Sequence, residues 1–337
     1  MTWSAHQEQH CGVMTQTKVT RFGLQIPSFS YQVPTEQLFE RIVLSAVAAE
    51  ESGFDSLWVM DHFYQIQVPA GGRREEPMLE AYSLLSGLAA RTSRVRLGAM
   101  VTGVTYRNPA LLAKTLTTLD VISSGRAVLG IGAAWNSEEH EGYGFDFPPV
   151  GERFDRLEEA LRIIRAMLRE PAPSFQGEHY RISGALNEPR PVTPGGPPVL
   201  VGGGGERRTL RLVAKYADAC NLFGDIPTVR HKLAVLDRHC EAEGRDPAEI
   251  TRTRLGTLII APTAGEAEHR LVQLAARHGM DPEELRTATV VGDPDQVVEQ
   301  VAAYLDAGLD GLVFNLPQAS GTDTIRLAGD TLTHAFG

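Results

Sequence analysis

Val199 to Ala217 read VLVGGGGERRTLRLVAKYA, the most informative stretch of the chain. A short apolar run, Val199-Leu200-Val201, stops at four consecutive glycines, Gly202 to Gly205. A helical pattern follows at once, with Leu210, Val213, Ala214 and Ala217 on one face. The spacing predicts a buried strand, a tight turn and a helix start. Glycine has no Cβ, so backbone built from it can approach a ligand closely. The first N–H groups of a helix have no internal partner, and phosphate binds well at such a place. A glycine-rich turn without a ligand is the alternative. The stretch is neither a G-x-G-x-x-G fingerprint after a first strand nor a Walker loop, since no Gly-Lys-Ser/Thr follows.

The same strand-then-helix unit recurs in both directions from this stretch. Strands are expected at residues 21–27, 56–60, 95–101, 127–132, 199–201, 219–223, 254–260 and 311–317. Helical stretches fall between them, at about 35–52, 80–91, 109–122, 151–169 and 293–307. Mostly apolar strands of this kind are buried on both faces, as in a parallel sheet. Eight strand–helix repeats predict an α/β fold, a (β/α)₈ TIM barrel, with a doubly wound open sheet as the rival. Two interruptions stand out. Residues 171–198 are rich in proline and glycine and read as an inserted loop with a short hairpin near 175–182. Residues 264–285 read as an extra helical excursion.

The chain has 337 residues and 42 % hydrophobic residues, within the range of one barrel domain over 18–337. Residues 1–17 are polar, lack the apolar core of a signal peptide and read as a flexible tail. A net charge of −10 argues against a general nucleic-acid binder. Three widely spaced cysteines, Cys11, Cys220 and Cys240, argue against a disulfide framework and suit a reducing cytoplasm. No apolar run reaches the roughly 18 residues of a membrane span.

In a barrel, chemistry collects at the C-terminal strand ends. Asp61 and His62 follow Trp58-Val59-Met60 directly, so a carboxylate and an imidazole reach the mouth. Histidine titrates near neutral pH and passes protons. A loop-capping Asp beside a packed His is the plainer reading. Met100, Val101, Thr102 and Ala133 are further strand-end residues. Ala133-Ala134-Trp135-Asn136 leaves room for a flat ring, with Trp135 either walling a pocket or buried in core. Arg207 suits a phosphate contact or simple exposure. His140 with Glu138, Glu139 and Glu141 reads as a solvated helix start rather than a metal site.

Taken together, the stretches SLWVMDHF, VRLGAMVTGVTYRNPALLAKTLTTLDVISSGRAVLGIGAAW, EGYGFDFPPVGERFDRLEEALRII, PPVLVGGGGERRTLRLVAKYADACN and VGDPDQVVEQVAAYLDAGLDGLVF resemble the luciferase-like monooxygenase superfamily. Within it the chain is most similar to the branch that uses coenzyme F420, an 8-hydroxy-5-deazaflavin hydride carrier. The resemblance implies Asp61 against the deazaflavin ring and His62 as the base on a substrate hydroxyl. It implies a non-prolyl cis peptide at Met100–Val101 behind the ring, with Thr102 and Ala133 nearby. Gly202, Gly203, Gly204, Gly205, Glu206 and Arg207 match the segment that holds the phosphate and tail. Trp135 and Asn136 would face the substrate, and a homodimer is expected. The chain also departs from the glucose-6-phosphate dehydrogenases of that branch. Their acidic proton donor after strand four falls on Trp135, and a substrate-side tryptophan falls near Ile66. An alcohol, ketone or unsaturated ring is therefore expected rather than a sugar phosphate. An oxygen-using monooxygenase with reduced FMN, or a non-catalytic flavin-binding barrel, shares the same fold and phosphate segment.

Overall fold

The computed structural model describes residues 18–66, 71–317 and 321–337. The expected tail at 1–17 lies outside the described residues. β1 (Phe22–Ile26) and α1 (Leu38–Glu51) come first, then β2 (Ser56–Val59), α2 (Ala81–Ala89), β3 (Arg96–Ala99), the short β4 (Thr102–Gly103) and α3 (Pro109–Ile122). β5 (Ala127–Gly132) leads through α4 (Ser137–Tyr143) into the long α5 (Val150–Arg169). An antiparallel hairpin, β6 (Phe175–Gln176) and β7 (Arg181–Ile182), sits in the proline-rich insertion. β8 (Val199–Gly202), α6 (Thr209–Tyr216), β9 (Ala219–Leu222), α7 (Ile226–Glu243) and β10 (Thr251–Ile260) follow. The chain finishes with α8 (Ala264–His278), α9 (Pro282–Ala288), β11 (Thr289–Gly292), α10 (Pro294–Asp306), β12 (Gly311–Asn315) and α11 (Asp323–Phe336).

Parallel pairing runs β1–β2–β3–β5–β8–β9–β10–β12 and returns to β1, with Leu24 opposite both Leu57 and Phe314. The ring is a closed eight-stranded (β/α)₈ barrel, and the open-sheet alternative is excluded. The helical excursion is two helices, α8 and α9, and it hides a further parallel strand outside the ring of eight. β11 pairs with the upper part of β10, Thr257 to Ile260. Its four residues, Thr-Val-Val-Gly, follow a helix without a break, so they do not stand out as a strand in sequence.

Side-chain alternation along the strands separates two apolar layers. Leu24, Leu57, Val59, Leu97, Leu129 and Phe314 face outward and pack under the helices. Val19, Trp58, Met100, Val128, Leu200, Ala219 and Val313 form a separate cluster that fills the barrel interior. The helices start where short polar side chains satisfy free N–H groups. Asn108 accepts from Ala110 N before Pro109, and Asp293 with Gln296 forms a capping box at α10. The 123–126 turn closes α3, with Ser124 and Gly125 at positive φ. Among the described residues no helix is long and apolar enough to cross a membrane.

Candidate active site

β2 delivers Asp61 to the C-terminal mouth, 1 % exposed. Arg107, beyond β4, grips it with a two-pronged bond: Nη1 donates to Oδ2 at 2.5 Å and Nη2 to Oδ1 at 3.1 Å. Nη2 also donates to Glu80, whose carboxylate caps α2. Thr102, fully buried, hydrogen-bonds the Tyr82 hydroxyl at 2.8 Å and the Asp61 side chain. Burial pushes the Asp61 carboxyl up from its ordinary value, against the opposing pull of Arg107 and Thr102.

His62 sits beside this set with a side chain 13 % exposed. Its Nδ1 lies 2.7 Å from Glu139 Oε2, and its Nε2 has no hydrogen-bond partner among the described residues. Glu139 comes from α4 across the mouth. Its Oε1 accepts from the Phe63 and Tyr64 N–H groups, and its Oε2 also accepts from the Tyr106 hydroxyl at 2.9 Å. The next residue, His140, reaches the neighbouring loop instead, with Nε2 2.6 Å from Thr105 Oγ1 and Nδ1 2.6 Å from Asn136 O. The expectation of a solvated helix start is thus corrected for two of its members. Glu139 and His140 are both fully buried, because α4 folds back onto the loops after β2 and β4. Glu138 stays at the surface and pairs with Arg74.

Trp135 is 63 % exposed, which rules out a core indole. Its ring meets the His62 ring edge-on, centroids 5.6 Å apart at 69°. Asn136 is spent on the helix start: its side chain accepts from Glu138 N. Aromatic side chains continue around the mouth, with Phe63 against Tyr106, Tyr143 and Phe145.

The Met100–Val101 peptide is cis. Gln25 Nε2 donates to the Met100 carbonyl. The Val101 side chain lies over the glycines that end the adjacent strands: a Cβ on Gly202 would stand 2.8 Å from its Cγ1, and one on Gly132 3.1 Å from its Cγ2. Small residues there are a packing requirement. Gly203 has φ +115, open to glycine and hostile to L side chains. Around Gly204 there is space, the nearest atom to an added Cβ being Lys232 Cε at 3.8 Å. The helix starts later than the sequence pattern implied. α6 begins at Thr209, and residues 206–208 form a turn in between. Arg208 bonds Gly151 O and Asp155, whereas Arg207 is exposed and without a hydrogen bond or ion pair among the described residues. Glu206 pairs with Lys232 at 2.6 Å and His231 at 3.0 Å.

At the ends of β9 and β12, Asn221 Nδ2 and Asn315 Oδ1 are buried without a partner among the described residues. By strand alternation both face the barrel interior, below the mouth. An orphaned amide donor and acceptor there suit a flat ring that carries carbonyl and N–H groups. The open Gly204 backbone and Arg207 suit a phosphate. The residues present fit a flavin-like group with a phosphorylated side chain.

Residues the sequence reading passed over are Glu139, Arg107, Tyr106 and Tyr82. None belongs to a motif with its own spacing. They reach the site from segments after three different strands: Tyr82 from α2 after β2, Tyr106 and Arg107 from the loop after β4, and Glu139 from α4 after β5. One sequence signal was available for Glu139, since Glu139-His140 lies one turn into a helix just past a glycine-bearing strand.

The model of the luciferase-like monooxygenase family matches residues 20–311. The chain is 31 % identical over 318 residues to the F420-dependent glucose-6-phosphate dehydrogenase of Amycolatopsis mediterranei, covering 85 % of this chain and 92 % of that protein. Among solved structures it superposes on an F420-dependent secondary alcohol dehydrogenase in complex with an F420–acetone adduct (TM-score 0.78, 19 % identity, 94 % of this chain and 99 % of that one). It superposes equally on an EDTA monooxygenase from Chelativorans (TM-score 0.81, 17 % identity, 94 % of each chain). With the barrel, the mouth and the family match in agreement, the chain belongs to the luciferase-like monooxygenase family.

Proposed function

We propose that this protein is an F420-dependent oxidoreductase that transfers a hydride between the deazaflavin and a small, largely apolar alcohol, ketone or unsaturated ring. The observation that carries the reading is His62, with Nδ1 engaged, Nε2 without a partner among the described residues and an exposed indole beside it. The F420-dependent relative, similar along most of both chains, supports the cofactor. When bound, the deazaflavin supplies the carbon that gives or takes the hydride. Asn221 and Asn315 would pair with the polar edge of its ring, Met100–Val101 would back the ring, and Gly203, Gly204 and Arg207 would hold the phosphate. Asp61, held by Arg107, would lie against the ring.

His62 Nε2 would take the proton from a substrate hydroxyl, or return it to a carbonyl in the opposite direction. Trp135 and the aromatic rim would exclude water and seat an apolar substrate. The arginines on the loops after β2 and β4 are all committed: Arg73 to Glu76, Arg74 to Glu138, and Arg107 to Asp61 and Glu80. Among the described residues this side of the mouth therefore offers no unpaired arginine for a substrate phosphate, which favours an alcohol over a sugar phosphate. The test is His62→Ala assayed against a panel of alcohols, ketones and enones. Turnover is expected to fall at least about 100-fold, the usual contribution of a general base, with F420 affinity retained. Full turnover in the variant contradicts the assignment.

A further inference from the structure

We infer that Glu139 is a positioning residue for His62: it fixes the imidazole with Nδ1 protonated and leaves the Nε2 lone pair toward the mouth. The inference rests on the reading of His62 as the proton carrier, but its geometry stands apart from that reading.

The carboxylate is built for one orientation. Both oxygens are engaged: Oε1 with two consecutive backbone N–H groups, Phe63 and Tyr64, and Oε2 with the Tyr106 hydroxyl and His62 Nδ1. Glu139 cannot rotate without losing bonds to the loops after both β2 and β4. It is fully buried, so water cannot substitute for it. Burial works against its charge, but the His62 ring and the two N–H groups outweigh burial and hold the carboxyl below its ordinary value. An ionised carboxylate can only accept, so a neutral His62 at 2.7 Å must place its proton on Nδ1. Nε2 is then the acceptor, and the charge beside Nδ1 favours the imidazolium that forms when Nε2 takes a proton. A carboxylate that orients a catalytic imidazole in this way is a recurring device in enzymes. Among the described residues the ionisable groups around the pair include Tyr106, Tyr64, His140 and the Asp61–Arg107–Glu80 set, with Arg74 and Glu138 paired to each other at the surface. Tyr106 is held in its protonated form by burial and by Glu139 itself. Arg107 is neutralised by its two carboxylates. Glu139 is thus the one charge in direct contact with the His62 ring among the described residues.

The test is ¹H–¹⁵N two-bond correlation spectroscopy on the full-length, histidine-labelled protein, with the His62 signal assigned from its loss in His62→Ala. Wild type is expected to show a neutral His62 with the proton on Nδ1. In Glu139→Gln the amide can donate as well as accept, so the tautomers should mix. A wild-type His62 with its proton on Nε2 overturns the inference without any variant. So does a folded Glu139→Gln whose His62 tautomer matches wild type. If Glu139→Gln does not fold, Tyr106→Phe removes one bond to Oε2 but leaves the carboxylate on Nδ1, so the Nδ1 tautomer should persist; a proton moved to Nε2 contradicts the inference. Turnover retained in His62→Ala would defeat the functional reading and leave this result standing, so the two failures are distinguishable.

Discussion

Arg107→Met tests whether the mouth is held together electrostatically. The guanidinium makes two bonds to a carboxylate that is 1 % exposed and a third to Glu80. Methionine keeps a stem of similar length and removes the charge, together with its contact over the Tyr82 ring. Leaving a buried partner uncompensated costs about 3–5 kcal/mol. At about 2.1 cal/mol/K per residue, 337 residues give an unfolding entropy of about 0.7 kcal/mol/K, so Tm should fall by roughly 4–7 °C at pH 7. The loss has a pH signature. Asp61 in the folded chain already lies above its ordinary value because of burial, and without Arg107 it climbs further. A carboxyl with a raised folded pKa holds its proton more tightly when folded. The variant therefore loses stability as pH rises from the unfolded value of about 3.9 through the raised folded value. Melting curves of both proteins between pH 4 and 8 should converge at the acid end and diverge toward neutrality. Asp61→Asn in the Arg107→Met background should recover part of the loss, a coupling measurable by a double-mutant cycle. A deficit that does not change with pH, or no recovery in the double variant, would refute the reasoning.

Three further outcomes follow from other parts of the barrel. Trp58→Ala removes the largest side chain of the barrel interior and its bond to Ser56, and should cost about 3–5 kcal/mol in denaturant unfolding. Gly203→Ala places a side chain at φ +115; F420 affinity should drop at least tenfold in titration while the far-UV spectrum stays native. Glu50 accepts from the N–H groups of Ser93, Arg94 and Val95, and these bonds outweigh burial and hold its carboxyl below the ordinary value. Its contribution is fully present above the unfolded value of about 4.3 and is lost as pH falls through the depressed folded value. Glu50→Gln should therefore cost about 1–3 kcal/mol at pH 7 and progressively less on acidification, as read by urea unfolding.

The barrel was legible because its signals are local. Apolar strands such as Ala127–Gly132 are bounded by turns, and helix starts such as Asn108-Pro109 carry their own caps. The eight strands of the ring were found within a few residues of their ends. β11 was not, because four residues, Thr-Val-Val-Gly, directly after a helix have no period of their own. At the site, Asp61, His62 and the glycine segment could be shortlisted because they directly follow strands. What the sequence concealed is pairing at a distance. Glu139 contacts His62 across 77 positions and Arg107 reaches Asp61 across 46. Neither spacing is periodic, and glutamates beside one another in a row read as solvent-facing. Burial of Glu139 and His140 is decided by α4 folding onto two loops, which is a tertiary event. Trp135 illustrates the opposite case: a residue type common in cores stands exposed at the mouth.

The most direct test of the central claim is a parallel binding titration of the purified protein with F420 and with FMN, followed by fluorescence and absorbance. Micromolar or tighter binding of F420 is expected, with FMN markedly weaker and with F420 affinity at least tenfold lower in Gly203→Ala. Preference for FMN with oxygen uptake on reduction would contradict hydride transfer through the deazaflavin and identify an oxygen-using monooxygenase. Binding of neither would remove the phosphate role of Gly202 to Gly205 altogether.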